Sequence, residues 1–138
     1  MEMNSFRNNI ITDAANDLAQ FAKAFGFSSP VIKNDGYTTK IYIIKKHAIQ
    51  FEIDWRELEI FMFVVRLLDN KIPPKNVVYQ YENGESCRTY VEEIYQIKNP
   101  IYKNTLRYTE SFLSKKKNFY MQLIQSDPQR LFSYMSQL

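Results

Sequence analysis

The residue types that most often carry catalysis are scarce in this sequence. His47 is the single histidine and Cys87 the single cysteine, which excludes a two-histidine zinc site within the chain and leaves any catalytic triad one candidate base. His47 follows two lysines at a predicted turn, so we expect a solvated imidazole. Cys87 lies in a predicted strand, where a lone cysteine packs more often than it reacts. We therefore predict no enzymatic activity and no cofactor.

The densest group of potential metal ligands is a run of carboxylates between residues 52 and 59. Glu52 and Asp54 alternate with apolar residues and would project from one strand face, and Glu57 and Glu59 follow closely. Such a group could hold Mg²⁺, so a carboxylate-dependent metal enzyme is one alternative. Polar residues are equally expected on any solvated strand face, and the glutamate-x-lysine signature of common nuclease folds is missing. We favour the solvated face and predict no metal site.

The same charged group would also suit a basic protein partner. Exposed carboxylates attract a cationic surface and accelerate association, an effect that weakens as salt rises. We predict a partner-binding site made of Glu52, Asp54, Arg56, Glu57 and Glu59. A hairpin whose charges meet only solvent would have the same sequence, so a solvated hairpin is the competing interpretation.

A basic stretch toward the C-terminal end raises the alternative of nucleic-acid binding. Residues 98–138 carry a net charge of +5, whereas residues 48–70 carry −3. The cations considered are Lys103, Arg107, Lys115, Lys116 and Lys117. They could neutralise phosphates while neighbouring tyrosines stack on bases. Helical spacing directs several of these tyrosines to a core, which would leave the lysines as a solvated helix face, so nucleic acid ranks after protein as a partner.

Length and composition are those of one packed domain over residues 1–138. A chain of this length buries roughly two-thirds of its unfolded surface, and 15% aromatic residues supply a core. Only three glycines are present, which leaves little room for a phosphate-binding loop. The sequence shows no signal-peptide pattern, and no apolar run approaches the ~20 residues that span a bilayer. We predict a cytoplasmic protein that does not contact membranes.

The spacing of apolar residues predicts the elements that position these groups. Over residues 6–25 they recur every three or four positions, which indicates an amphipathic helix. Asn4 or Ser5 could cap its start. Gly26 could end it in a left-handed conformation, with Phe27 folded back on the last turn.

The middle of the sequence predicts strands. β-branched and aromatic residues, alternation and turn residues indicate strands over 38–46, 49–55, 58–67, 77–81 and 86–90. The turns between them include Asn34-Asp35-Gly36 and Asn83-Gly84. The strand over 58–67 is apolar on both faces, so we expect a central strand whose second face is covered by a helix.

Helices are predicted again toward the C-terminal end. Residues 90–95 fit helical spacing better than alternation, and a helical face runs from Tyr102 to Ile124. Ser126-Asp127-Pro128 indicates a cap and first-turn proline for a last helix. The predicted fold class is α+β, with an N-terminal helix, an antiparallel sheet of about five strands and C-terminal helices on one face of the sheet.

The stretch Glu-Ile-Asp-Trp-Arg-Glu-Leu-Glu-Ile-Phe over residues 52–61, set in this helix, sheet, helix layout, resembles the small immunity proteins of bacterial toxin systems. The resemblance covers size, layout and the absence of catalytic groups, without a signature motif. It implies a cytoplasmic protein that binds a cognate toxin domain and blocks its active site or its access to substrate. The net charge of +3 departs from the acidic character common in inhibitors of nuclease toxins, so the chemistry of the toxin stays open.

We therefore predict a non-enzymatic protein-binding protein, an immunity protein that inhibits a toxin. The first alternative is a small phage or bacterial regulator that binds nucleic acid through the C-terminal helices. The second is the carboxylate-dependent metal enzyme.

Overall fold

An antiparallel sheet carries helices against one of its faces. The structure is a computed structural model that describes residues 2–72, 87–98 and 109–138, with the backbone alone for residues 2–4. The helices are α1 (Glu2–Phe25), α2 (Val91–Ile94), α3 (Glu110–Ser126) and α4 (Pro128–Ser136). The strands are β1 (Val31–Asp35), β2 (Thr38–Lys45), β3 (His47–Asp54), β4 (Glu59–Val65) and β5 (Arg88–Tyr90). The predicted α+β class is confirmed.

The sheet is a meander in which each strand pairs with the next one along the chain. Its order is β1-β2-β3-β4-β5, and every pairing is antiparallel. Ile49, Phe51 and Ile53 of β3 are fully buried against the helices, because side chains two residues apart share one strand face. The alternation predicted for β3 is therefore confirmed on its core face.

The other face of the sheet is drier than the sequence suggested. Ala48, Phe63 and Val65 form a second small apolar cluster there. Gln50, which was expected on a wet strand face, is 1% exposed. The prediction that β4 is apolar and buried on both faces is confirmed. The predicted helix cover is not seen among the described residues, because the apolar partners on this second face are Ile44, Phe61, Leu67 and Ile72. The prediction of a solvated face of β3 is wrong at Gln50.

Helix α1 ends as predicted but starts earlier. It begins at Glu2, so the prediction of a cap at Asn4 or Ser5 is wrong. Gly26 has a φ of 80°, and the N–H groups of Gly26 and Phe27 both donate to the Ala22 carbonyl, at 2.8 and 2.9 Å. A left-handed residue lets the chain fold back on the last helical turn in this way.

Strand β1 was not predicted. Its second half, Lys33-Asn34-Asp35, lacks both alternation and β-branched side chains, so the local signal is that of a turn. It is extended because it pairs along its full length with β2, from Val31 opposite Tyr42 to Asp35 opposite Thr38. The predicted strand over 77–81 and the Asn83-Gly84 turn lie outside the described residues, and β5 begins at Arg88 rather than at residue 86.

The C-terminal elements follow their local signals. β5 passes directly into α2 at Val91, as helical spacing predicted. In α4, Pro128 is in the first turn, and the Asp127 side chain accepts from the N–H of Arg130 at 3.3 Å, which confirms the predicted cap. In α3, Thr109 caps the helix by accepting from the N–H of Phe112 at 3.1 Å. The predicted helical residues 102–108 lie outside the described ranges.

Candidate functional site

The carboxylates of the predicted acidic site have partners within the molecule. Glu52 accepts from one guanidinium nitrogen of Arg88 at 3.3 Å, and both side chains are largely buried. Asp54 accepts from the N–H groups of Arg56 and Glu57, at 3.0 and 3.1 Å, and so closes the turn between β3 and β4. Both carboxylates therefore have a local structural role.

Glu59 lies in the interior. It lies opposite Asp54 in the β3–β4 pairing, is 6% exposed, and accepts from the Lys116 ammonium at 2.9 Å. The same ammonium lies 4.3 Å from the centre of the Phe61 ring. Of the five residues predicted to bind a partner, Arg56 and Glu57 are exposed at one turn, Glu52 and Asp54 are half-buried, and Glu59 is withdrawn from the surface.

The arrangement of these carboxylates bears on the metal-enzyme alternative. Glu52 faces Arg88, Asp54 faces backbone N–H groups, and Glu59 faces Lys116. In the part of the chain that the structure describes, no three histidine, cysteine, aspartate or glutamate side chains form a group that could hold a metal ion. The sequence brought these residues close along the chain, but the fold gives each one a separate partner.

The most exposed apolar residues gather at the β1 edge of the sheet. All five residues of β1 are exposed, and β1 pairs only with β2 in the described ranges. Val31 is 38% exposed, Ile32 46% and Tyr37, in the β1–β2 turn, 59%. The other exposed large hydrophobic residue among those described is Tyr90, 38% exposed, at the opposite edge.

Two turns meet beside this edge and hold Tyr37 in place. The N–H of Trp55 donates to the Tyr37 carbonyl at 2.8 Å, and the Arg56 guanidinium lies 5.0 Å from the centre of the Tyr37 ring. Thr39 is the buried link between the turns, because its hydroxyl accepts from the Trp55 indole N–H at 2.8 Å and donates to Asn34 at 2.7 Å. The two turns thus form one ordered surface.

We define the β1 surface as Val31, Ile32, Tyr37, Arg56 and Glu57. Arg56 and Glu57 belong to the site predicted from the sequence, whereas the three apolar members were missed. Their signal was weak, because an isolated exposed apolar residue is ordinary at a protein surface. What distinguishes them is their position along one exposed edge of the sheet, formed by a strand that was not predicted and the turn after it.

A polar cleft adjoins the β1 surface. It has a volume of about 320 Å³ and lies between α1 and the β1–β2 turn, with Arg7, Asn34 and Trp55 among its lining residues. The Arg7 guanidinium lies 5.2 Å from the centre of the Trp55 ring. Its buried Nε has no hydrogen-bond partner in the described part of the chain, so a carboxylate entering the cleft would meet an available cationic donor.

Two of the three described lysines of the predicted basic site are internal. Lys116 and Lys117 are 4% and 6% exposed, and they pair with Glu59 at 2.9 Å and Asp17 at 2.6 Å. The expectation that they form a solvated helix face is therefore wrong, because α3 turns this side toward β4 and α1. Lys115 is exposed. Lys103 and Arg107 lie outside the described residues.

His47 and Cys87 are both buried. His47 is 7% exposed at the start of β3, so the predicted solvated imidazole is wrong. Its Nδ1 accepts from the N–H of Leu67 at 3.4 Å. Cys87 is 2% exposed, and burial raises the pKa of its thiol, which agrees with the predicted packing role.

Because His47 is the single histidine, the imidazole signals in a proton NMR spectrum belong to it, and its titration can be followed directly. Burial lowers the pKa of the imidazole below 6.5, the Lys46 and Arg66 charges add to this effect, and the Leu138 carbonyl opposes it. The folded state therefore disfavours the imidazolium, so the contribution of His47 to stability is complete above pH 6.5 and declines as the pH falls through the lowered pKa. Proton NMR should give a midpoint below 6.5, and the H47Q variant should lack this part of the pH dependence of unfolding. A midpoint at or above 6.5 would contradict the burial of the ring.

Comparison of the chain with protein-family models, curated proteins and solved structures finds no match. Within the described ranges, no helix combines the length and apolar character needed to cross a bilayer.

Proposed function

We propose that this chain is a non-enzymatic binding protein that neutralises a cognate bacterial toxin, as immunity proteins do. The observation that carries the binding role is the β1 surface. Three of the four exposed large hydrophobic residues in the described ranges, Val31, Ile32 and Tyr37, lie along one edge of the sheet, in β1 and the turn that follows it. Exposed apolar residues concentrated in one part of a surface and rimmed by polar groups are typical of protein-interaction sites.

The composition of the β1 surface supports this role. Tyrosine and arginine are the residue types that contribute most often to the centre of protein interfaces, and Tyr37 and Arg56 contact each other at this surface. The turns that carry them are joined by the Trp55 N–H, which donates to the Tyr37 carbonyl, and by the Thr39 hydroxyl, which links Trp55 to Asn34. This order in the free protein reduces the ordering cost of binding. Glu57 and Lys33 supply charges of both signs at the rim.

The occupant that fits this edge is an extended segment of the toxin domain, added beside β1 as a further strand. Such pairing obtains affinity from main-chain hydrogen bonds and specificity from alternate side chains. A second copy fits less well, because two antiparallel β1 strands centred on Lys33 would set like charges opposite each other. An acidic residue of the toxin could enter the adjoining cleft and pair with Arg7.

The toxin part of the proposal rests on the resemblance over residues 52–61. Inhibition would be steric, since this chain, bound along an extended segment of the toxin, would cover the toxin surface around that segment without any chemical step. This proposal places the protein in the cytoplasm, because the proteins that it resembles protect the cell that produces the toxin. The nucleic-acid alternative has less support, because Lys116 and Lys117 are held in internal ion pairs.

The test is neutralisation of the captured partner. The tagged protein is used to isolate partners from its source organism, with and without nuclease treatment, and the partner gene is then expressed in a bacterial host. We expect a partner that survives nuclease treatment, arrests growth when expressed alone and is tolerated when this chain is co-expressed. A partner without toxicity, or recovery that depends on nucleic acid, would overturn the proposal.

A further inference from the structure

A second pocket lies at the end of β2 that leads into the β2–β3 turn. It has a volume of about 200 Å³, is open to solvent on one side, and is lined by the β2–β3 turn, the segment after α1, and α4. Three of its lining side chains, Phe27, Phe132 and Met135, are apolar. The others are Lys45, Lys46, His47 and Ser136. The pocket shares no residue with the β1 surface, so an inference about it is independent of the proposed function.

The apolar wall is held by contacts from several elements. The Phe27 and Phe132 rings lie 6.1 Å apart, and the Phe25 ring packs 5.1 Å from Phe132. Ser28 ties this segment to β2, because its N–H donates to the Ile44 carbonyl at 2.8 Å and its hydroxyl accepts from the Ile44 N–H at 2.9 Å. The wall is therefore formed before any ligand arrives.

The polar side of the pocket is cationic. Lys45 and Lys46 are exposed, and no carboxylate is among the lining residues. Lys45 donates to the Phe25 carbonyl at 2.9 Å, which places its ammonium beside the pocket and leaves two of its three donors for other groups. Positive charges without a lining counter-charge attract an anion, and the water-excluding wall next to them strengthens that attraction.

His47 adds a neutral donor to this side. It is 7% exposed, and its Nε2 makes no hydrogen bond of good geometry among the described residues, although the Leu138 carbonyl lies close enough to oppose the lowering of its pKa. Since Nδ1 accepts from the Leu67 N–H at 3.4 Å, the neutral ring carries its proton on Nε2. A bound anion would give this Nε2–H group a better-placed acceptor.

We propose that this pocket binds a small organic monocarboxylate with an apolar body, its hydrocarbon part against Phe27, Phe132 and Met135 and its carboxylate at Lys45 and Lys46. The pocket volume fits such a ligand. An apolar cavity of roughly 150 Å³ holds benzene, so a pocket of about 200 Å³ can hold a benzene ring that carries one carboxylate group. A monocyclic aromatic acid is the simplest ligand of this class.

The direct test is a titration with sodium benzoate at constant ionic strength, followed by the proton NMR signals of the single histidine. We expect a saturable shift with a Kd on the order of 1 mM or tighter, which ligands of this size reach. Benzyl alcohol, which has the same ring without the charge, should bind at least about tenfold more weakly. Equal affinity for the two compounds, or no saturable shift up to about 20 mM benzoate, would overturn the proposal.

Paired variants separate the charge effect from a structural one. The double variant K45Q/K46Q should weaken benzoate binding by about tenfold while leaving the weak binding of benzyl alcohol unchanged. The matched control K98Q/K115Q removes two exposed lysines elsewhere and should leave both affinities unchanged. Equal loss of benzoate affinity in the two double variants would show that overall charge, rather than this pocket, attracts the anion.

Discussion

Replacing Lys116 by alanine is expected to lower the free energy of unfolding by about 3–5 kcal/mol, the range measured when one partner of a buried ion pair is removed. Lys116 and Glu59 join α3 to β4 at 2.9 Å, with side chains only 5% and 8% exposed. The variant leaves the Glu59 carboxylate buried beside Phe61 without its cation. Since domains are typically stable by about 5–15 kcal/mol, this loss would be a large part of the total.

Urea unfolding of matched variants measures this effect. Lys115, the exposed neighbour on the same helix, is the control, and K115A should change stability by no more than about 0.5 kcal/mol. The double variant E59L/K116M should lose less than K116A, because it removes the buried Glu59 carboxylate together with the Lys116 ammonium that compensates its charge. A K116A variant as stable as K115A would mean that the pair is solvated and would contradict the observed burial.

Replacing Ile32 by lysine and Tyr37 by serine together is expected to weaken partner binding by more than about 100-fold. The reason is that residues at the centre of an interface each contribute at least about 2 kcal/mol to the binding free energy. Both side chains are exposed at the β1 edge, at 46% and 59%, and neither belongs to the buried core. The added lysine also puts a second charge, next to Lys33, where the partner strand would pair. The fold should be unaffected, because neither replacement removes a buried group.

Calorimetry with the captured partner gives the affinity, and urea unfolding gives the stability of the same samples. Y90S is the matched control, because Tyr90 is 38% exposed at the opposite edge of the sheet, and it should bind the partner like the unaltered protein. Equal loss of affinity in Y90S and in I32K/Y37S would remove the β1 surface from the proposal. E57K tests the predicted charged turn separately, and it should act mainly on the association rate in low salt.

The sequence by itself determined the elements that arise from local periodicity. The helical spacing over residues 6–25, the left-handed Gly26 and the Asp127-Pro128 cap all have their predicted roles, because each depends on neighbours within one or two helical turns. The α+β class follows from the same periodicities. A candidate surface around Arg56 and Glu57 was also predicted, because charged residues in a turn are exposed in most folds.

Only the tertiary structure decided which polar residues are surface and which are interior. Lys116 and Lys117 are buried in ion pairs with Glu59 and Asp17, which are separated from them by 57 and 100 residues along the chain. A local sequence pattern cannot indicate pairs that are so far apart. Strand β1 likewise exists because β2 pairs with it. The exposure of Val31, Ile32 and Tyr37 along one edge depends on that pairing, so the surface that supports the proposed function could be recognised only after the strands had been placed in the sheet.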